Sequence, residues 1–155
     1  MKILFLLTIV LYSGQLFAQL NLSDKPWESA YSNCADSIKK AENHTPLSNA
    51  EEGVCLFASF RAADNFLNEV FIYQKNRLNS SLKDDQNGLF NDILIQYESL
   101  IIMKESFYTY RGVCANLESA SYTNSSGRGN HKVSVLLELT KIEINRLINL
   151  PLLAE

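Results

Sequence analysis

Histidine is scarce in this chain: there are two in 155 residues, His44 and His131, far apart and in no ligand spacing. With no second ligand cluster beside either, a zinc site is not expected. The sequence also lacks a nucleophile elbow, a phosphate-cradling glycine loop and a dinucleotide fingerprint. Its adjacent acid pairs, Glu51-Glu52 and Asp84-Asp85, fall at expected helix starts, where carboxylates favour the positive end of the helix dipole. Neighbouring helical residues diverge, so neither pair could flank one glycosidic bond. No catalytic residue, cofactor or metal is expected, and the chain reads as a non-enzyme.

Long apolar runs are equally few. The longest stretch begins at Ile3 and ends at Leu11, interrupted by Thr8, and it follows Met1-Lys2. It falls far short of the roughly 20 residues that a spanning helix needs. A positive start, an apolar stretch and Leu16-Phe17-Ala18-Gln19 instead describe a cleavable secretory signal over residues 1–18. No cysteine follows the run, so a lipoprotein anchor has no attachment point. Residues 19–155 then form one domain, large enough for a moderate core. From Gln19 onward there are 13 basic and 17 acidic side chains, a net charge of −4. Nothing in that mild acidity points to nucleic acid or to an anionic membrane surface.

Strand-length alternation is absent too, and helical periodicity takes its place. One helix is predicted over Pro26–Glu42, with Asp24 as its cap and Pro26 in the first turn. The turn Asn43–Leu47 leads to Ser48-Asn49-Ala50-Glu51, a capping box that opens a second helix. Val54, Ala58, Ala62, Phe66, Val70, Tyr73 and Leu78 recur along it, with Leu67 and Phe71 widening the stripe, and it fades near Asn79. A third helix starts within the polar stretch 79–88 and runs to Cys114. Its predicted core face carries Phe90, Ile93, Leu94, Tyr97, Leu100, Ile101, Phe107 and Tyr108. Residues Ser119 to His131, rich in Ser, Asn and Gly, read as a loop. A fourth helix follows with Val133, Leu136, Leu139, Ile142 and Leu147 before Pro151 ends it. The fold class is all-α, an irregular four-helix bundle made of two helical hairpins.

Cysteine number is odd: Cys34, Cys55 and Cys114. The midpoint of the first two falls between His44 and Thr45, inside the first predicted turn, so both would lie at one height of an antiparallel hairpin. A disulfide there would suit an oxidising compartment; two separate buried thiols are the alternative. Reflecting Cys114 through the second loop gives Val135, so it has no partner of its own. It reads as a buried free thiol packed as a small hydrophobe, with a monomer expected; an intermolecular bridge making a dimer is the alternative.

Two charges lie beside apolar faces, Asp64 on the second helix and Arg111 on the third. They are expected to approach each other, with Asn68 nearby, as a structural polar clamp; a ligand-binding role is the alternative. The loop residues Tyr122, Asn124 and Arg128 offer an aromatic, an amide and a guanidinium, the mix found at recognition surfaces, although a plain connector would also read this way. Four Asn-X-Ser/Thr sequons occur, at Asn21, Asn43, Asn79 and Asn124.

Three stretches resemble the N-terminal domain of the LprI-type lysozyme-inhibitor family, secreted bacterial helical proteins. They are the pair Cys34 and Cys55, the run from Asp64 to Phe71 (aspartate, Leu67-Asn68, an aromatic), and Phe107–Cys114 with Tyr110-Arg111, followed by Tyr122 and Leu139-Thr140. Together they span most of the chain after the signal. The sequence departs from the family pattern at Lys104, Phe107, Gly112, Val135 and Glu143, and Cys114 stands one residue early relative to Arg111. The resemblance implies a periplasmic or secreted bacterial module that binds a protein, with a lysozyme as partner. Arg128 or Tyr122 would then reach the enzyme's catalytic carboxylates. The competing expectation is an envelope interaction or structural protein with another partner and no effect on lysozyme.

Overall fold

The computed structural model describes residues 21–22, 25–42, 46–83, 88–122 and 125–151. The expected signal, residues 1–18, and the expected cap Asp24 lie outside them. Among the described residues four helices follow in order: α1 (Pro26–Glu42), α2 (Asn49–Lys83), α3 (Phe90–Ser119) and α4 (Ser125–Ile148). Among the described residues there is no strand, and no helix is long and apolar enough to cross a membrane.

The capping box opens α2 as its sequence predicts. The Ser48 amide donates to the Glu51 carboxylate at 2.6 Å, and the Glu51 amide donates to Ser48 Oγ at 3.4 Å. That reciprocal pair satisfies two amides that a helix start otherwise leaves bare. At 35 residues α2 is the long spine of the bundle, and α1, α3 and α4 all pack on it. The disulfide Cys34–Cys55, with Cα atoms 5.3 Å apart, ties α1 to its first third.

The first polar connection is displaced, and the second is shorter than the sequence suggested. α2 continues past Asn79 to Lys83, because Leu82 adds one more apolar position beyond Leu78 and packs against the core. α3 begins only at Phe90, not inside the stretch 79–88, after Gly88 takes φ 71°, a left-handed conformation that glycine adopts without strain. At the other end α3 runs past Cys114 to Ser119, and α4 starts at Ser125. Much of the expected loop from Ser119 to His131 is therefore helix, and Arg128 stands in the first turn of α4 and not on a connector. A tertiary bond accounts for this. The Asn130 side-chain amide donates to the Asn49 carbonyl at 2.7 Å, so the second turn of α4 and the first of α2 hold each other. Gly53 permits the approach, since a Cβ there would run into the Asn130 side chain.

The core lies along α2, where Phe66, Leu67, Val70, Phe71 and Leu78 meet Trp27 of α1, Ile93 and Leu100 of α3, and Leu137, Ile144 and Leu147 of α4. Trp27 meets Phe66 edge to face, with centroids 6.1 Å apart. The predicted stripes need correcting at their margins. Val54, Phe90, Ile101 and Ile142 are exposed, and α4 buries the predicted Leu147 together with Leu137, Thr140 and Ile144 in place of positions 133, 136, 139 and 142. Leucine, valine and isoleucine surround α4 on several sides, so its sequence admits more than one register. Packing against α2 selects one.

Candidate functional site

Three helices converge on Arg111. Its guanidinium Nη1 donates to Asp64 Oδ1 of α2 at 2.6 Å and to Thr140 Oγ1 of α4 at 2.8 Å. Thr140 passes its own proton back to the Leu136 carbonyl, 2.6 Å away, so one hydroxyl both accepts and donates. Aromatic rings close the remaining sides: the guanidinium carbon lies 4.7 Å from the Tyr108 centroid, 5.2 Å from Phe60 and 5.4 Å from Phe107. Arg111 is 7% exposed, whereas the Asp64 side chain keeps about a third of its surface in water. A charge this buried requires a carboxylate, a hydroxyl and ring faces together, because no single one offsets its desolvation. Burial, and behind it the Asp64 carboxylate, pushes the Tyr108 hydroxyl above its ordinary value, with Arg111 opposing.

Asn68 is not part of that cage. Its Oδ1 accepts from Lys104 Nζ at 2.7 Å, and Lys104 also sits 5.5 Å over the Phe71 ring. One turn separates Asp64 from Asn68 on α2 while two separate Lys104 from Arg111 on α3, so the two contacts form successive rungs of an antiparallel ladder. Lys75 over Tyr97, at 5.8 Å, is a third.

Two buried polar groups carried no sequence signal. Gln74 is fully enclosed; its Nε2 donates to the Leu147 carbonyl at 2.6 Å while its Oε1 accepts from Arg77 at 3.2 Å. It thereby satisfies one of the last carbonyls of α4. Glu143 is 5% exposed, with Oε2 3.2 Å from Arg146 Nε and no partner for Oε1. Burial raises its pKa, and Arg146 only partly opposes that.

The solvent-facing candidates gather at the α3–α4 turn. The Tyr122 ring stacks on His131 with centroids 4.2 Å apart, and His131 Nε2 lies 3.9 Å from Glu118. Arg128, exposed, stands three residues before His131 and so shares its helix face. Asn124 lies outside the described residues. The result is an edge presenting an aromatic, a guanidinium and a carboxylate from the two ends of one turn. Further along α4, an open groove of about 400 Å³ runs between α1 and α4 over α2, floored by Trp27, Leu56 and Leu137 and rimmed by Tyr31, Glu138 and Lys141. No family model, no curated protein and no solved structure matches the chain.

Among the described residues, no group of three or more His, Cys, Asp or Glu side chains is placed to hold a metal ion. Cys114 is half-buried, more accessible than the enclosed thiol its sequence suggested. A hydrogen bond with Cys114 is the main cause that raises the Tyr110 hydroxyl pKa. Chemically, the caged arginine holds three helices in register with little access to solvent, while the turn and the groove are where another molecule could make contact.

Proposed function

We propose that the chain is an exported helical binding module that inhibits a lysozyme by presenting its α3–α4 turn to the enzyme's cleft. The observation carrying this reading is the Tyr122–His131 stack, which holds an aromatic ring against the α4 face that Arg128 shares. A ring whose rotamer is already fixed loses little freedom on binding, and a guanidinium is the side chain best shaped to pair with a carboxylate. The disulfide Cys34–Cys55 favours an oxidising compartment, in keeping with the periplasm or the extracellular space. Lysozyme as the partner rests on the resemblance of Asp64–Phe71 and Phe107–Cys114 to the LprI-type family. Purified protein added in excess to lysozyme-driven lysis of cell walls tests it. Slowed lysis that Arg128→Ala and Tyr122→Ala both relieve is the expected result, and undiminished lysis by several lysozyme types rejects it.

Glu143 favours a second reading. An enclosed acid stands where the resemblance places an arginine, so the chemistry at that level of α4 is reversed in sign. A module so changed would serve as an envelope interaction or structural protein with a different partner. Binding of one non-lysozyme envelope protein, reproduced with both components purified and lost in Arg128→Ala, would establish that alternative.

A further inference from the structure

One guanidinium at the seam of α3 and α4 serves two unlike acceptors. Arg146 of α4 turns the edge that carries Nε and Nη2 towards them: Nε lies 3.2 Å from Glu143 Oε2, and Nη2 donates to the sulfur of Met103 on α3. Such an edge is shaped for two oxygens, as when an arginine holds a carboxylate with both bonds. Here one of the two places is filled by a thioether, a weak acceptor. Glu143 is under-served as well, since its side chain is 7% exposed and Oε1 has no partner. The site holds more hydrogen-bonding capacity than its sulfur can use. Met103 is half-buried and packs against the core, whereas Arg146 keeps 53% of its side-chain surface in water. The sulfur therefore meets the solvent side of the seam, where a small oxidant reaches it past the arginine. Apart from Met1, Met103 is the chain's one methionine.

We propose that Met103 is a modification site for peroxide, and that Arg146 holds the sulfoxide formed there. A sulfur lone pair attacks one peroxide oxygen, and the S–O bond forms as the O–O bond breaks. The departing hydroxide takes up the proton of the transferred oxygen and leaves as water. The sulfur gives up an electron pair, which reduces the peroxide. In most cores the new oxygen is disruptive, because it makes a flexible apolar side chain polar. At Met103 it arises on the sulfur that already faces Nη2, so a strong acceptor replaces a weak one at the same donor. Glu143, whose protonated form burial favours, adds a second donor beside it. The disulfide Cys34–Cys55 suits a compartment in which such an oxidant goes unreduced.

Hydrogen peroxide added to the purified protein tests this, with Cys114→Ser as the parent so that the free thiol takes up no oxygen. Peptide mass spectrometry should find one added oxygen on Met103, and Met103→Leu should gain none there. Thermal melts before and after oxidation then read what Arg146 does. Oxidation should lower the melting temperature by about 3 °C more in Arg146→Ala than in the parent, the shift for one hydrogen bond in a chain of this size. Arg146→Ala also deprives Glu143 of its ion pair, so the comparison is repeated in a Glu143→Gln background, where the same difference should persist. Two results would overturn the proposal. One is Met103 left intact while free methionine in the same solution is oxidised. The other is a fall in melting temperature no larger in Arg146→Ala than in the parent.

Discussion

Arg111 and Asp64, 47 residues apart in sequence, meet at 2.6 Å inside a ring of three aromatic side chains. The pair fixes the heights of α2 and α3, and Thr140 brings α4 to the same level. Removing the guanidinium leaves a partly buried carboxylate, a threonine hydroxyl without its donor, and a hollow between Phe60, Phe107 and Tyr108. Arg111→Ala should destabilise the fold by about 3 kcal/mol, the scale for breaking a buried pair. Urea unfolding followed by far-UV dichroism measures it, and an unchanged midpoint would reject the clamp. In a double-mutant cycle, Arg111→Ala with Asp64→Ala should cost less than the two single changes summed.

Glu143 gives the pH dependence a definite sign. Its pKa in the fold lies above the ordinary carboxylate value, mainly through burial. The folded state thus favours the protonated form, and the stability this contributes is complete below the unfolded pKa. It is lost as pH rises through the raised folded value. Glu143→Gln should raise the melting temperature at neutral pH and leave it nearly unchanged in acid. Thermal scans of both proteins from pH 4 to pH 8, on the order of the carboxylate range and above, check this; a parallel pair of curves contradicts it.

Gln74 predicts a local effect. Gln74→Leu removes the shorter of two donors to the Leu147 carbonyl and leaves it only the Leu150 amide, 3.3 Å away. A loss of about 1 kcal/mol follows, the net contribution of one hydrogen bond. Hydrogen exchange should quicken in the last turns of α4 before it does so in α2. Uniform acceleration across the bundle would mean that Gln74 has no special hold on that end.

The disulfide closes a sequence separation of 21 residues. In the chain-entropy account a loop of this size contributes roughly 3 kcal/mol. Cys34→Ser combined with Cys55→Ser should lower the unfolding free energy by about that amount, measured against the oxidised parent.

Much of the scaffold was legible because its signals are local. The capping box at Ser48 and Glu51, the stripe from Phe66 to Leu78 and the mirror placement of Cys34 and Cys55 each follow from rules that act over a few residues. The Arg111–Asp64 approach was legible for a related reason: a charge on an apolar face must find a partner, and the facing helix held one. What escaped the sequence depends on contacts between distant residues. Ser125 to His131 has the composition of a loop, yet the bond from Asn130 to Asn49 makes it the start of α4. Asn68 stands one turn on from Asp64 as expected, yet its amide oxygen pairs with Lys104 and takes no part in the Arg111 cage. For Gln74 and Glu143 there was no signal to find, since nothing in a glutamine or glutamate distinguishes an enclosed one from one in water.

α1 packs its backbone on α2 alone, whereas α2, α3 and α4 brace one another. Such a strut could swing away without dismantling the remaining three helices. Its covalent stitch to α2 confines any such excursion to a hinge at Cys34 and Cys55. Trp27, at the other end of α1, would then leave the core and give up the bond that Ser59 Oγ donates to its carbonyl at 2.8 Å, while the tethered cysteine stays in place. Opening of that kind would widen the groove beneath α1 and leave Arg111 seated in its cage.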